Sequence, residues 1–242
     1  MTATPATPAP APAPAPAARP GSADSARRPQ SGPPLLAPVL AFAVLTVAAV
    51  VVNRSTPHPD ASGLAVLQYA QAHRTAARVG AFLLFSSAVP LAIAAAVLYR
   101  RLRALGITAP GSAITLVGGV LAASALTLSG LFAWTGNRLQ PDAGAALARA
   151  LADLSFLSGG PAFVVMFALL IAGVSVTGLL AGLLPRAAAW TGLVLAAVGM
   201  LSTLTLLADG FGYLLPVVRF GGTLWLVFVA AVLPRTRPSR HS

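Results

Sequence analysis

The sequence predicts an all-α membrane protein with six transmembrane helices, arranged as repeated helix hairpins with short amphipathic helices in the outer loops. Two observations predict this fold. Of the 242 residues, 57% are hydrophobic and only 9% are charged, whereas about a quarter of the residues of a soluble domain are charged. The apolar residues are also gathered into long runs separated by polar segments. A chain so poor in charge cannot cover itself with a surface that water solvates, so much of its exterior must face lipid.

The apolar runs have the length that a membrane crossing requires. A helix rises 1.5 Å per residue, so about 20 residues span roughly 30 Å of hydrocarbon. Every backbone N–H and C=O group in lipid needs an internal partner, which favours a helix in each run. Arg219, at the start of the last and shortest run, is the sole Asp, Arg or His within them. We predict helices at 33–52, 79–99, 112–134, 156–183, 187–208 and 217–233, within a transmembrane domain of residues 33–234.

The two ends of the chain differ in composition from this domain. Residues 1–32 alternate alanine with proline over much of their length, and proline removes a helical hydrogen bond and clashes with the preceding turn. We predict a disordered, extended tail there. Residues 235–242 contain three arginines and form a short basic tail.

Arginine placement predicts the orientation, because basic residues near membrane ends are retained on the cytoplasmic side. With both termini in the cytoplasm, ten arginines lie inside and six outside. The amino-acid composition, which has no lysine, glutamate or cysteine, is typical of a protein from a GC-rich bacterial genome. We therefore expect a multi-pass protein of the bacterial cytoplasmic (inner) membrane. The inner arginines are Arg19, Arg27, Arg28, Arg100, Arg101, Arg103, Arg186, Arg235, Arg237 and Arg240, and the outer ones are Arg54, Arg74, Arg78, Arg138, Arg149 and Arg219.

Two polar islands interrupt the apolar runs with the same pattern. Residues 53–74 read NRSTPHPDASGLAVLQYAQAHR, and residues 137–153 read NRLQPDAGAALARALAD. Each begins Asn-Arg, reaches Pro-Asp-Ala and continues with leucines at helical spacing, which predicts a short amphipathic helix at the outer interface. Asp60 and Asp142 are the predicted N-caps. The helical stripes are Leu64, Leu67 and Ala70 in the first island and Leu147, Leu151 and Leu154 in the second.

The recurrence of the island predicts that the helix hairpins are repeats of equal topology, two copies by the islands themselves and a third with a shortened loop. Chance similarity between alanine- and leucine-rich segments is the alternative. Small residues four apart, which let helices approach closely in lipid, occur at Gly118/Ala122, Ala125/Ser129 and Gly178/Gly182. Pro90 lies inside the second run and frees the carbonyl of Ser86, which predicts a helix kink that the hydroxyls of Ser86 and Ser87 compensate.

Four charged residues near the outer ends of the predicted helices form a candidate ion-pair cluster: Arg78, Asp153, Asp209 and Arg219. A charge at a membrane helix is expensive and is retained where it does work. The alternative is that these charges merely mark the ends of helices. Arg149 and Asp153 are four residues apart and form a further predicted pair, worth about 0.2–0.5 kcal/mol on an exposed helix.

Residue types restrict the chemistry. Without cysteine the chain has no thiol nucleophile, thiolate metal site or disulfide. His58, His73 and His241 lie outside the apolar runs, so no pair of them faces across a bundle as haem ligation requires. We predict no catalytic residue, no cofactor-binding residue and no metal site, and therefore no enzyme.

The net charge of +11 is compatible with binding to nucleic acid. The arginines stand at the ends of apolar runs, however, and not along a basic stripe with interleaved aromatic residues. We therefore predict membrane lipids as partners, together with a membrane-protein partner or a second copy of the chain, and no nucleic acid.

Three segments carry a resemblance to a known family. Residues 71–106, the Leu-Pro-Arg turn and following helix at 184–201, and the tryptophan-containing helix at 224–233 resemble a family of small bacterial six-pass membrane proteins, common in actinobacteria and classed under a domain of unknown function. The resemblance covers about residues 35–234. Family members often have a second aromatic residue after the Leu-Pro-Arg turn, where this chain has three alanines before Trp190. The resemblance implies the fold and the compartment, and it implies no substrate.

These observations favour a non-catalytic polytopic membrane protein that acts through interactions in or across the membrane. The alternative is a small transporter or channel for a neutral or lipid-like solute, on the strength of the repeated hairpins and Pro90. An intramembrane enzyme is the third hypothesis and lacks a nucleophile and base inside the helices. A water-accessible polar cavity at mid-membrane depth favours transport, and a solidly packed bundle favours interaction.

Overall fold

The computed structural model describes residues 34–234, and no strand occurs in that part of the chain. The predicted tails, 1–32 and 235–242, lie outside the described residues. Three short segments supplement the α-helices: a π-helical turn at Ser158–Ala162 and 3₁₀-helices at Ser202–Leu206 and Asp209–Tyr213. The α-helices are α1 (Leu36–Val52), α2 (Gly63–Ala72), α3 (Arg74–Ala104), α4 (Gly111–Gly136), α5 (Ala145–Leu157), α6 (Phe163–Leu180), α7 (Arg186–Leu201) and α8 (Leu214–Val232).

Within the described residues, five helical stretches are long and apolar enough to cross a membrane. A further apolar helix, α1, is shorter, with 17 residues. This all-helical architecture indicates a helical membrane protein with several spans. The five stretches are Arg74–Ala104, Gly111–Gly136, Ala145–Leu180, Arg186–Leu206 and Gly210–Val232.

The outer surface of the helices is apolar, as a lipid environment requires. Val44 of α1, Leu180 at the end of α6 and Leu224 of α8 are 66%, 80% and 72% exposed, and large apolar side chains are exposed on every long helix. A water-soluble monomer rarely exposes contiguous apolar area beyond a few hundred Å². The exposed apolar side chains therefore indicate that this surface faces the hydrocarbon of a membrane.

The long helices close into a ring in which α6 is the most deeply buried. Each long helix packs against the next one along the chain, in the order α1, α3, α4, α6, α7, α8, and α8 packs back against α1. Neighbouring helices run in opposite directions, since the end of α1 meets the first half of α3 at Asn53 and Gly80, and the start of α4 meets the second half of α3 at Gly119 and Ala95. The ring therefore has two ends: the α2–α5 end, where α2 and α5 pack on each other, and the basic end, where α3 finishes with Arg100, Arg101 and Arg103.

Aromatic side chains join α1 to α6, the most deeply buried helix. Phe42 of α1 contacts Phe163 and Phe167 of α6, with ring centroids 6.4 and 5.9 Å apart, and all three side chains are fully buried. Tilted aromatic pairs at this spacing contribute about 0.5–1.5 kcal/mol beyond their buried area. This contact explains how α1, which is shorter than the five long helical stretches, is held against the bundle.

The small-residue pairs have different roles. A Cβ on Gly118 would meet the backbone of α6 at Leu169 and Leu170, so this pair does serve close packing of α4 on α6. Gly178 and Gly182 instead belong to the end of α6. Gly182 has φ +64°, and the N–H of Leu183 donates to the carbonyl of Gly178 at 2.9 Å. This is a Schellman ending, and Gly178 is covered by Leu184 of its own following turn.

Pro90 lies half-buried inside α3, which is continuous from Arg74 to Ala104. The hydroxyl of Ser87 donates to the carbonyl of Leu84 at 2.6 Å, and not to the carbonyl of Ser86 that the proline frees. The hydroxyl of Ser87 therefore does not compensate for the proline, because its acceptor lies two residues before Ser86. The kink at Pro90 stays a prediction.

The predicted N-caps of the two island helices are wrong. The N-cap of α2 is Ser62, whose hydroxyl accepts the N–H of Ala65 at 3.2 Å, and the N-cap of α5 is Gly144, which has no capping side chain. Both aspartates lie two residues too early in the chain. Asp60 pairs instead with Nδ1 of His58 at 2.9 Å, within the same exposed loop.

The second island departs from the expected separation of interfacial and membrane helices. Helix α5, the π-helical turn and α6 form one helical stretch of 36 residues, so the predicted span at 156–183 starts within it. In the first island, by contrast, His73 (φ −118°) interrupts the helix between α2 and α3. A close approach links the two islands, since Gly63 lies against the carbonyl of Ala145.

Candidate binding cavity

A cavity of about 550 Å³ lies at the α2–α5 end of the ring. Its walls come from the C-terminal end of α1, the first half of α3, the last turns of α4 and the start of α8. Residues of α2 and α5 also line it. No lining residue in the described part of the chain comes from the basic end. The cavity therefore opens toward one end of the bundle and does not run through it. A volume of 300–1,000 Å³ is the usual size of a small-molecule site.

The two polar islands position the rim of the cavity. Asn53 and Asn137 are the residues at which α1 and α4 end, and both line the cavity. The side-chain amide of Asn53 packs against Gly80 of α3, where a Cβ would overlap it. The repeated Asn-Arg pattern thus has a local structural meaning: it ends a long helix beside the cavity in both copies.

A reciprocal serine pair fixes α4 to α5 beneath the rim. The hydroxyl of Ser129 donates to the carbonyl of Ser155 at 2.8 Å, and the hydroxyl of Ser155 donates to the carbonyl of Ser129 at 3.0 Å. The two side chains line the cavity and hold their helices at a fixed distance. Bonds of this kind between membrane helices contribute about 0.6 kcal/mol each on average.

Bare backbone forms the inner wall next to this pair. The π-helical turn contains Gly159 and Gly160, both buried and both lining the cavity, followed by Pro161. π-Helical turns widen the backbone and occur frequently at functional sites. A side chain on Gly159 would meet the hydroxyl of Ser129, so glycine is required there for the approach of α4.

Arg219 brings a positive charge to this wall. It stands five residues after the start of α8, roughly 7 Å along the helix axis. Its guanidinium donates to the carbonyl of Gly159 and lies over the ring of Phe163, 5.3 Å from the ring centroid. Among the described side chains no carboxylate pairs with it. Arg219 therefore carries its charge into the cavity with a carbonyl oxygen and an aromatic face as neighbours.

Two of the other charges of the cavity wall, those of Arg149 and Asp153, pair with each other. Arg149 donates to Asp153 through Nε at 3.0 Å, which confirms the predicted pair, and to the carbonyl of Ala61 through a second nitrogen. It thereby ties α5 to the connection that precedes α2. Arg54 and His58 line the rim and are exposed. With three arginines and a single aspartate on the described wall, the cavity has a positive balance.

The residues of the predicted ion-pair cluster are dispersed. Asp153 and Arg219 line the same cavity, but Asp153 pairs with Arg149. Arg78 is exposed and lines a separate, shallow groove with Phe82, Phe85 and Trp134. The side chain of Asp209 lies outside the described part. The structure thus brings two of the four residues to one site, and the complete cluster stays a prediction.

No group of three or more His, Asp or Glu side chains that could hold a metal ion occurs among the described residues. The cavity itself was not predicted from the sequence, in which Ser129 belongs to a small-residue pair and lacks the preceding glycine of a serine nucleophile. The Ser-Gly-Gly-Pro stretch at 158–161 was the available signal, because two glycines before a proline inside an apolar run allow bare backbone to face a ligand.

Comparison with family models, with curated proteins and with solved structures finds no match to this chain. The resemblance to small six-pass bacterial proteins therefore stays a prediction, and the chemistry of the cavity has to be argued from its own geometry.

Proposed function

We propose that this chain is a non-catalytic, six-span protein of the bacterial inner membrane that binds a lipid-like small molecule in the cavity at its α2–α5 end. The cavity is the single observation that carries the proposal: a site of about 550 Å³ whose wall is mainly apolar and includes polar groups from several helices has the composition of a small-molecule site. In this proposal α1 crosses the membrane as well as the five longer helical stretches, which gives six spans. The islands face outward and both termini are cytoplasmic.

Binding is favoured over conduction by the shape of the site. A channel needs a path that joins the two faces of the membrane, whereas the described wall of the cavity includes no residue of the basic end. Between the cavity and that end, the bundle is filled by buried side chains such as Leu91, Leu98, Leu126 and Leu170. A lipid-like molecule reaches such a cavity from the adjoining leaflet.

The proposal is tested by filling the cavity. Ala133 of α4 is half-buried and lines it, whereas Ala96 of α3 is exposed and does not. The probe is a photoactivatable long-chain alcohol in phosphatidylcholine nanodiscs, with labelled positions mapped by mass spectrometry. We expect labelling of cavity-lining residues that Ala133→Phe reduces at least severalfold and that Ala96→Phe leaves unchanged. Labelling spread evenly over the lipid-facing surface, insensitive to Ala133→Phe, would overturn the proposed function.

A further inference from the structure

The chemistry of the cavity wall identifies the headgroup of its ligand. Of the wall's charges, Arg149 and Asp153 neutralise one another, and Arg54 is at the exposed rim. Arg219 alone carries a charge next to the buried π-helical turn. A charge in a desolvated place is retained where it pairs or does work. The described side chains supply no anion to Arg219, which leaves this cation available to an anionic ligand.

The guanidinium geometry is suited to an acid group. It presents five N–H donors in a planar fork, which matches the two oxygens of a carboxylate or phosphate. The structure assigns one of these donors to the carbonyl of Gly159, and the ring of Phe163 covers one face. Donors remain for a bound anion, and the two fixed contacts hold the group in place beforehand.

The rest of the wall is suited to a single apolar chain. Val50, Leu84, Phe132, Phe156 and Leu215 line the same cavity as Arg219. A volume of about 550 Å³ lies in the middle of the range for small ligands, and a phospholipid with two full acyl chains exceeds it. The same cavity thus offers a cation for an acid group and apolar side chains for a tail.

We propose that the cavity binds a single-chain amphiphile with an acid headgroup, carboxylate or phosphate, which pairs with Arg219 while its tail lies against the apolar wall. This inference rests on the proposed function and makes it more specific, since a neutral lipid-like solute would satisfy that function equally well. A cationic amphiphile is excluded by the positive balance of the wall.

The test compares headgroups on one tail. Photoactivatable dodecanoic acid, dodecyl phosphate and dodecanol are incorporated at equal density into phosphatidylcholine nanodiscs that contain the full chain, under conditions that keep the acids ionised. A charge-assisted hydrogen-bonded pair contributes about 1.5–3 kcal/mol, which corresponds to a preference of roughly ten- to hundredfold. We expect the two acids to label the cavity at concentrations lower than the alcohol by about that factor. Equal labelling by acid and alcohol would overturn the inference while leaving the proposed function standing, whereas no cavity labelling by any probe would overturn both.

Variants test whether Arg219 is the residue that causes the preference for acid headgroups. Arg219→Gln should abolish the preference for acids and leave labelling by dodecanol, and Arg219→Lys should restore part of the preference. Arg78→Gln, on the separate groove, is the matched control and should leave it intact. If Arg219→Gln does not accumulate, the comparison of headgroups on the unaltered chain decides alone. An excess of inorganic phosphate should not displace the acid probes. Complete displacement would show that the site binds free anions and would overturn the proposal of an amphiphilic ligand.

Discussion

Glycine positions set the distances between helices in this protein. Gly63 lets α2 reach the carbonyl of Ala145, and Gly118 lets α4 lie against the backbone of α6. In hydrocarbon, helices gain nothing from burying apolar area, so van der Waals contact and interhelical hydrogen bonds must hold them. A single missing Cβ at each of these contacts is therefore a structural requirement, and the added methyl group of alanine is a sensitive probe of it.

Gly192 of α7 provides the sharpest test. A Cβ there would overlap the hydroxyl of Ser175 on α6 and would stand 2.6 Å from the ring of Trp225 on α8. Nε1 of Trp225 donates to the carbonyl of Ala188 at 2.8 Å, and its side chain is 5% exposed. The ring has no room to withdraw, so Gly192→Ala should destabilise by about 1–3 kcal/mol, measured by thermal unfolding in detergent.

Gly136→Ala is the matched control for this prediction. A Cβ at Gly136 would make an ordinary contact of 3.7 Å with Leu151, and alanine is the better helix former. The control should be neutral or slightly stabilising. Equal stability of the two variants would contradict the packing of α8 on α7 described above.

The sequence predicted some single residues correctly and others wrongly, for identifiable reasons. The Arg149–Asp153 pair follows from helical spacing alone, and it is present. The N-caps were wrong because several residues before each helix qualify chemically, and tertiary packing, such as Gly63 against α5, decides where the helix begins. Arg219 stood out as the sole charge in an apolar run, but its neighbour Gly159 is 60 positions away in the chain, beyond any local pattern.

Helix ends are the feature that links elements to one another. Both positive-φ residues of the described chain, Gly106 (φ 87°) and Gly182 (φ 64°), follow the end of a long helix, α3 and α6 respectively. In each case the Schellman hydrogen bond is made: Ile107 donates to Leu102 at 3.1 Å, and Leu183 to Gly178 at 2.9 Å. The chain is thereby reversed sharply at the basic end of the ring.

Gly182→Ala isolates the conformational part of this turn. A Cβ on Gly182 would have nothing within 4 Å, so no contact is gained or lost. The left-handed conformation costs a non-glycine residue about 1–2 kcal/mol, and we expect that loss in unfolding free energy. Gly182→Asn should cost distinctly less, because asparagine tolerates this conformation. Chemical unfolding in mild detergent compares the two, and an alanine variant as stable as the original chain would contradict the described turn.

At the level of elements, apolar run length predicted the position of the helices well and their extent poorly. Helices α3 and α4 contain the predicted segments 79–99 and 112–134 and extend beyond them, because a helix continues into polar residues for as long as its hydrogen bonds are made. The continuity of α5 with α6 was not predicted. The predicted span at 156–183 already contained the two glycines and the proline, which the chain passes in a π-helical turn. The polar residues of the island predicted a break before this span, but the helix begins at Ala145 and continues into it.

The cavity belongs to the whole molecule and could not be derived from the sequence. Its wall combines residues of both polar islands with residues of α1, α3, α4 and α8, so it exists only once the ring has closed. Repetition of the island was a second sequence signal for it, beside the Ser-Gly-Gly-Pro stretch at 158–161. Both copies end a long helix with asparagine at the cavity rim and then send a helix over the same end of the ring.

The orientation of the whole ring yields the last prediction. With both termini in the cytoplasm, the connection at 105–110 between α3 and α4 is inside, and the connection at 137–144 between α4 and α5 is outside. A cytoplasmic reporter should be active when inserted at 108 or fused after Ser242, and an exported reporter when inserted at 140.

Replacing Arg100, Arg101 and Arg103 by glutamine removes three of the ten inner arginines, leaving seven against six outside. Because arginine bias sets orientation, this triple variant should give mixed topology, whereas the triple lysine variant keeps the charge and should retain a single one. Reporter activities exchanged between 108 and 140 would place the α2–α5 end at the inner leaflet, and termini on opposite faces would show that the number of spans is odd. An unaltered topology of the glutamine variant would show that another part of the chain sets the orientation.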